Sequence, residues 1–507
     1  MDDETELKLL VNADAKKRLK QGFINKFETA YHISSSQLFN SYYDTPDKQL
    51  KQMMMACRVR GKDGKFEQTI KTAGDHAGGL SRRPEYNVQI EGNQPDLALF
   101  TEINWPKGVN PSELQEQIVC LFDTQFNRDT YLIELEAASN PDSDSTTSPP
   151  AKIECVFDSG SIETTRHQAP ICEIELELKA GKASQLLEIA QQLHRVFPFR
   201  LGSQSKAQRG YRLVDGVRLE RQRLSESVAA HQESSAEQVL VSILQSALQY
   251  WQHCEQYYLE ERKFRELYSI LDTMAFLQSV LARFGKQWQC QPLQQLAEQC
   301  RQMCERWQWA QWIEGLRELR SKKGAFRKKL FGHEPLQRQI RATLNTTLEA
   351  RDPGTMLFEK DYVAIQLAML SLLVDKPWQT ASYDTTFDVN QPIKTVATNW
   401  VTQARKQLDK VLHKARFASV ATVMEVKTEL KEMEFLSIFL DDSIMSAGKM
   451  RVNWRNVLDG IMDLETLLVL ENLLEKSDLG DRGNLLSWCK KKQLSTLELM
   501  NQSQRVF

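Results

Sequence analysis

No stretch of this sequence stays apolar for the roughly 20 residues that a membrane-crossing helix requires, which excludes a helical span. Cysteine is sparse: nine in 507 residues, an odd number, scattered along the chain. Cys300 and Cys304 form the one close pair, at helical i,i+4 spacing, and no second pair completes a zinc site. The expectation is reduced thiols in a cytoplasmic protein rather than a disulfide framework. An excess of either charge is missing too. The chain sets 65 basic residues against 67 acidic ones, for a net charge of -2. That gives no specific affinity for nucleic acid and leaves any basic site local. The opening residues Met1 to Glu6 lack the basic start and apolar core of a signal peptide. What is there is ordinary soluble globular material, 41% hydrophobic and 26% charged. The length suits two to four domains.

Residues 1 to about 215 read as strands with a few helices. The first strand is Glu4 to Lys8. Helical patterns follow at Ala13 to Gln21 and Phe27 to His32, with a helical turn at Gln49 to Met54. Tyr42 to Pro46 is a strand ending in a turn. Ala56 to Arg60 is a strand closed by the turn Gly61 to Gly64. Further strands are expected at Phe66 to Thr72, Arg83 to Val88, Phe122 to Arg128, Thr130 to Ala137, Lys152 to Ser159 and Ile171 to Ala180. Helices are expected around Asp96 to Ile103, Ser112 to Leu121 and Ala183 to Phe197. Ser139 to Pro150, rich in Ser, Asp and Pro, reads as a hairpin loop. Composition shifts near Val217, where Gly and β-branched residues thin out. Ser225 to Glu237 is a polar linker. Beyond it apolar residues recur at three and four, as in Leu240, Ile243, Leu244 and Leu248. Lys360 to Val374, Val396 to Lys414, Thr422 to Leu440 and Trp454 to Lys476 repeat that spacing, so this half reads as a helical bundle.

Successive side chains of a strand point to opposite faces. Glu4, Glu6 and Lys8 therefore share one face, and Leu7 and Leu9 the other. The inversion recurs downstream. Arg58 and Arg60 oppose Val59. Thr69 and Lys71 oppose Ile70. Arg83, Glu85 and Asn87 oppose Tyr86 and Val88. Glu154, Val156 and Asp158 share a face. Glu173, Glu175, Glu177 and Lys179 oppose Ile174, Leu176 and Leu178. Two arrangements fit. An open sheet would pack its aliphatic face on helices and show its charges to water. A closed barrel of about eight strands would turn the charges inward, around a lumen wide enough for a small ligand. Charges in a lumen must be paired, solvated, or occupied by ligand and metal. The signs nearly balance: Lys8, Arg58, Arg60, Lys71, Arg83 and Arg128 against Glu4, Glu6, Glu85, Asp158, Glu173 and Glu175. Simple ion pairing accounts for that balance, and so does a site where bases hold an anion and acids hold its metals.

Glu4-x-Glu6-x-Lys8 resembles the E-x-E-x-K signature that opens the CYTH, or triphosphate tunnel metalloenzyme, superfamily. Further residues match in order: Tyr43-Asp44-Thr45, Arg58-x-Arg60, Lys71, Arg83-x-Glu85, Arg128, Glu154 to Asp158 with Gly160 following, Glu173-x-Glu175-x-Glu177, and Ser205-Lys206. Asn87 departs from the commoner R-x-E-x-E form of the fourth strand. The resemblance implies an α+β protein: an eight-stranded antiparallel β-barrel, the triphosphate tunnel, with surrounding helices, followed by an all-α bundle. It implies an inorganic triphosphatase that splits triphosphate into pyrophosphate and phosphate with a divalent metal, Mg2+ or Mn2+. Thiamine triphosphatase or adenylate cyclase activity in the same tunnel, and a non-catalytic polyphosphate-binding module, are the alternatives. The residue types suit the chemistry. Arg grips phosphate oxygens with a planar fork and Lys as a compact charge, while carboxylates are hard ligands for such metals. The implied metal ligands are Glu4, Glu6, Asp158, Glu173 and Glu175. The implied substrate-binding residues are Lys8, Arg58, Arg60, Lys71, Arg128 and Lys206. Lys8, Arg58, Arg60 and Glu85 are implied at the reaction centre, Arg83, Glu154 and Glu177 in support of it, and Asp44 and Thr45 in shaping a turn.

The domains expected are a CYTH tunnel over 1–218, a linker over 219–236 and a helical domain over 237–507. The helical half resembles the CHAD module, a basic bundle that in some relatives binds polyphosphate. The match rests on His253 with Arg262, Lys263 and Arg265, and on His413, Lys414 and Arg416 followed by Lys427 and Lys431. The densest basic run is Lys322, Lys323, Arg327, Lys328 and Lys329, which equally fits a solvated helix face. Trp307, Trp309 and Trp312 read as core and interface. His333 has no partner legible in the sequence.

Overall fold

The structure, a computed structural model, describes residues 2–27, 29–62, 64–136, 138–139, 146–148, 150–228, 234–379, 388–414, 417, 419–440, 442–445 and 454–505. The chain forms two compact units. One comprises Met1–Glu220 with Leu357–Asp375, the other Arg221–Met356 with Lys376–Phe507.

Eight of the first unit's described strands form its barrel: β1 Asp2–Leu10, β2 Ala30–Asp44, β3 Ala56–Lys62, β4 Lys65–Lys71, β5 Leu80–Ile90, β6 Val119–Leu135, β7 Ala151–Glu163 and β8 Gln168–Ala180. They pair in the order β1-β8-β7-β6-β2-β3-β4-β5, and β5 returns to β1. Every pairing is antiparallel. The sheet is therefore a closed barrel, and of the two arrangements the sequence allows, this is the one adopted. Closure leaves no ladder edge among the eight.

The aliphatic face of each strand lies outside. Cys57, Val59 and Ile70 pack with Tyr43, Leu50, Leu97, Phe100 and Leu114, which come from the segments that wrap β2 to β5. Leu7, Leu9, Ile174 and Leu176 are fully buried beneath α1, Ala183–Leu193. The helix Lys360–Asp375 packs on α1 in turn. The expected helical domain 237–507 therefore lends one helix to the first unit.

One end of the barrel is filled. Leu38, Tyr42, Phe122, Phe126, Ile162 and Ile171 point inward and close around Tyr211 of α2, Lys206–Asp215. Ser205 and Gln208 form a capping box at the start of α2, and Gly216 ends it in the left-handed region. Gly210 is obligatory there, because a Cβ at this position would lie 2.0 Å from the Phe122 ring.

Several expectations need correction. The described residues of Phe27–His32 form no helix; from Ala30 they belong to the long strand β2, where the alternation continues into Tyr42. The expected strands Phe122–Arg128 and Thr130–Ala137 merge into one strand, β6, which ends at Leu135; Ala137 lies outside the described residues. Asp96–Ile103 contains only a single turn, Leu97–Leu99, and the helix Pro111–Gln117 stops before Val119. Within the expected hairpin loop, residues 140–145 and 149 lie outside the described residues.

The second unit is helical, as its periodicity requires. Its longer helices are α3 Ala236–Glu261, α4 Arg265–Gln287, α5 Gln291–Arg306, α6 Trp309–Leu319, α7 Glu334–Arg351, α8 Ile393–Lys414, α9 Val420–Phe439, α10 Trp454–Glu475 and α11 Arg482–Arg505. Its core includes Trp251, Phe276, Phe284, Trp288 and Trp307. His333 does have a partner. Its Nδ1 accepts from the Leu336 amide at 3.2 Å, capping α7, and its Nε2 lies 2.7 Å from Asp481.

Candidate active site

The charged faces of the eight strands enclose a cavity of about 500 Å³. Glu4, Glu6 and Lys8 of β1 line it, with Arg58 and Arg60 of β3, Lys71 of β4, Glu85 of β5, Arg128 of β6, Glu175 of β8 and Lys206 of α2. Asp158 and Glu173 lie beside them, wholly buried. The barrel thus gathers every residue that the resemblance implied as metal ligand, substrate-binding or at the reaction centre. Register explains the gathering: Lys8 stands opposite Glu175, Asp158 opposite both Arg128 and Glu173, and Lys71 opposite Glu85.

Two ionic clusters divide the lumen. In the first, Lys206 Nζ donates to Asp158 at 2.7 Å, Glu173 at 2.6 Å and Glu175 at 3.1 Å. Lys8 Nζ donates to Glu173 at 2.8 Å and also to Glu175. Arg128 grips Asp158 with two 2.7 Å bonds and reaches Glu175 at 3.0 Å. Arg209, one turn past Lys206 on α2, reaches Glu173 at 3.2 Å. Burial works against the charge on Glu173, but Lys206 and Lys8 outweigh it and hold that carboxyl down at about 2. Glu175 is held well below the usual range by the same balance. Burial likewise opposes the Lys206 charge, and Asp158 and Glu173 overcome it, so the ammonium is held above its ordinary value.

In the second cluster Lys71 bridges Glu4 and Glu85, the latter at 2.9 Å. Arg58 stands 3.6 Å from Glu85. Glu6 accepts from Ser81 at 3.2 Å and stands 3.5 Å from Arg83. Burial pushes Glu4 up to about 7 against the pull of Lys71, with Glu6 and Glu85 adding to the rise. Glu85 goes the other way: Lys71 and Arg58 outweigh its burial and hold it at about 2.

Arg60 is the exception. Among the described residues it pairs with no carboxylate, and its Nε donates to the neutral Asn40 Oδ1 at 2.9 Å. Burial depresses its guanidinium to about 9, and Arg58 and Arg128 press the same way.

The oxygen donors suit a hard divalent cation. Ligand atoms of Asp158, Glu173 and Glu175 lie within 4.8 Å of one another, gathered on the Lys206 ammonium. Glu4 and Glu6 face the same lumen but are paired with Lys71 and Arg83 instead.

Residues 2–211 match the family of the CYTH domain. This part of the chain is a CYTH domain. It is 35% identical over 214 residues to an inorganic triphosphatase of Haemophilus influenzae, a match covering 42% of this chain and 55% of that protein. The chain therefore spans about half the length of that curated relative. Two solved structures are also similar. One is a Hippeastrum protein described as a candidate adenylyl cyclase with a dominant triphosphatase activity (TM-score 0.30, 17% identity, 43% of this chain and 97% of that one). The other comes from Pyrococcus horikoshii (TM-score 0.27, 16% identity, 42% and 99%). Scores this low carry no weight for the fold, which the strand pairing itself establishes.

The CYTH domain also uses residues that sequence reasoning passed over. Arg209 was readable in principle, since it follows Lys206 by three and shares its helix face. Asn40 alternates with Tyr42 along β2, but nothing local marks it as the acceptor for Arg60. Asp44 does more than shape a turn. Its carboxylate accepts from the amides of Thr45, Leu50 and Lys51 and from the Tyr211 hydroxyl at 2.8 Å, tying the turn to the helix that carries Lys206.

In the helical unit the expected basic sites look different. Lys427 pairs with Glu465, Lys431 with Asp272 and Glu434, and Arg265 with Glu314. Arg416 and the side chains of His413 and Lys414 lie outside the described residues. No helix among those described is long and apolar enough to cross a membrane.

Proposed function

We propose that the CYTH domain hydrolyses inorganic triphosphate to pyrophosphate and phosphate, using Mg2+ or Mn2+ inside the barrel. The observation that carries this reading is Arg60, a half-buried cation with a neutral partner in a lumen otherwise lined with ion pairs. An interior charge left without a counter-charge is costly unless a ligand supplies one, and Arg58 and Arg128 stand close enough to share a multiply charged anion.

The residues divide as follows. Arg58, Arg60, Lys71, Arg128, Lys206 and Lys8 bind the phosphate oxygens, the arginines through two-pronged contacts. Binding makes Lys71, Arg128 and Lys206 share the carboxylates they now hold. Glu4, Glu6, Asp158, Glu173 and Glu175 would then hold the divalent ions, which supply charge neutralisation and activation of the attacking water. Glu85 orients Lys71 and Arg58. Lys8, Arg58 and Arg60 stabilise the charge that grows on the departing pyrophosphate. The apolar plug at Tyr211 closes one end, so the chain of phosphates lies between the plug and the other mouth.

The test is a substrate panel: triphosphate, pyrophosphate, ATP, thiamine triphosphate and long-chain polyphosphate, each with Mg2+, Mn2+ or excess chelator. Phosphate release from triphosphate, abolished by chelator and much slower with pyrophosphate, is expected. Equal rates on triphosphate and pyrophosphate, or full activity in chelator, would refute it. Preference for ATP or thiamine triphosphate would move the assignment to another reaction in the same tunnel. In the helical unit, the basic side chains of the run Lys322 to Lys329 are exposed, whereas Lys427 and Lys431 are paired.

A further inference from the structure

Both arginines of β3 are bonded by neutral groups, although Arg58 also faces Glu85 at 3.6 Å. Arg60 Nε donates to Asn40 Oδ1 at 2.9 Å, and Asn40 Nδ2 donates to Thr124 Oγ1 at 2.9 Å. Arg58 Nη2 donates to Thr69 Oγ1 at 3.0 Å, and that hydroxyl donates to Asn87 Oδ1 at 2.7 Å. Asn40, Thr69 and Thr124 are 2%, 1% and 1% exposed, and all three sit on neighbouring strands. Each bond uses an amide or hydroxyl dipole. Elsewhere in the same lumen the bases are oriented by carboxylates, as Lys8, Lys71, Arg128 and Lys206 are.

The difference has a physical consequence. A carboxylate orients a guanidinium and also cancels its charge. An amide oxygen orients it through one N–H and leaves the charge uncancelled. Bonding Arg60 through Nε also leaves both terminal nitrogens for a two-pronged grip on a phosphate. We propose that Asn40 is a positioning residue that orients Arg60 without neutralising it, and so sets the affinity of the tunnel for triphosphate; Asn87 reaches Arg58 only through Thr69. The inference deepens the reading of the barrel as a triphosphate site and rests on it. It also gives Asn87 a reason: a glutamate there would set a second negative charge beside Arg58, which already faces Glu85 at 3.6 Å.

The deciding comparison is Asn40→Asp against Asn40→Ala in the full-length protein. The aspartate keeps the shape, accepts from Arg60 and can accept from Thr124, so a merely structural role predicts that it is the milder change. The alanine loses both bonds but leaves the Arg60 charge free. If Asn40 acts by preserving charge, the order inverts. Asn40→Asp should raise KM for triphosphate roughly tenfold or more with a smaller change in kcat, and Asn40→Ala should raise it less. Thermal unfolding should rank them the other way, with Asn40→Ala the less stable. Calorimetric binding of inorganic triphosphate in metal-free buffer separates this inference from the hydrolytic reading. Wild-type protein that binds triphosphate there but fails to turn it over once Mg2+ or Mn2+ is added overturns the hydrolytic reading, and the order of affinities still decides this one. Asn40→Asp with wild-type affinity, or with affinity above Asn40→Ala, overturns the inference whether or not the protein is a catalyst.

Discussion

Replacing Arg60 by methionine should make the protein more stable and worse at its task. Methionine keeps the length of the side chain and removes the charge. The depression of Arg60 from its ordinary value to about 9, by burial and by the like charges of Arg58 and Arg128, corresponds to an electrostatic penalty of about 5 kcal/mol, at roughly 1.4 kcal/mol per pH unit. The cavity is open to water and Arg60 is only half-buried, so solvent screening reduces that figure to about 2 kcal/mol. Even at about 9, Arg60 keeps its proton at neutral pH, so the penalty persists across the working pH range. Losing the bond to Asn40 gives back about 1 kcal/mol. The net gain is about 1 kcal/mol, or a rise in Tm of about 2–4 °C for a unit of this size. Thermal unfolding in phosphate-free buffer with chelator measures the gain. Adding inorganic triphosphate should then raise the Tm of the wild type more than that of Arg60→Met, because ligand stabilisation follows affinity. A variant that is less stable than wild type and equally responsive to triphosphate would show that Arg60 is a structural cation, and would remove the main support for the anion site.

Three further changes test other parts of the lumen. Glu4→Gln and Glu175→Gln should each lower kcat by about a hundredfold or more with circular dichroism unchanged; near-normal rates at saturating metal would make both acids structural. Lys206→Met should behave opposite to Arg60→Met and destabilise by about 3 kcal/mol, because Asp158, Glu173 and Glu175 lose a shared partner. The sign with pH follows from the shifts. Lys206, held above its ordinary 10.5, contributes until pH rises through its raised value, and Glu173 contributes until pH falls from 4.5 towards about 2. Urea unfolding should therefore show the widest gap from wild type between about pH 5 and 10, narrowing below pH 4; a gap that is constant down to pH 3 would refute the pairing. Finally, a fragment ending at residue 220 should lose solubility unless the helix Lys360–Asp375 is supplied, since that helix packs on α1 within the first unit. A soluble, fully active 1–220 fragment would show the helix to be dispensable.

The sequence by itself determined the faces. Period-two alternation in Glu4 to Leu9, Arg58 to Arg60 and Glu173 to Lys179 sorted charged from aliphatic side chains, because a strand offers only two sides. It determined the helical character of the second half through the three-and-four spacing. Through the ordered resemblance it also picked out the twelve residues that now share one lumen. It did not determine the ends of elements where period two and period 3.6 overlap, which is why Phe27–His32 read as helix and β6 as two strands. Four matters were left to tertiary structure. Pairing of β5 with β1 closed the sheet and turned a charged face into a lumen; local alternation is the same in an open sheet and a barrel. Register decided which base meets which acid, since each strand alone is compatible with several partners. Packing placed Lys360–Asp375 with a barrel more than 150 residues earlier in the chain, which no local pattern encodes. And the neutrality of the groups around Arg60 emerged only where β2, β3 and β6 meet, because Asn40 and Thr124 are ordinary polar residues until folding sets one against a guanidinium and the other behind it.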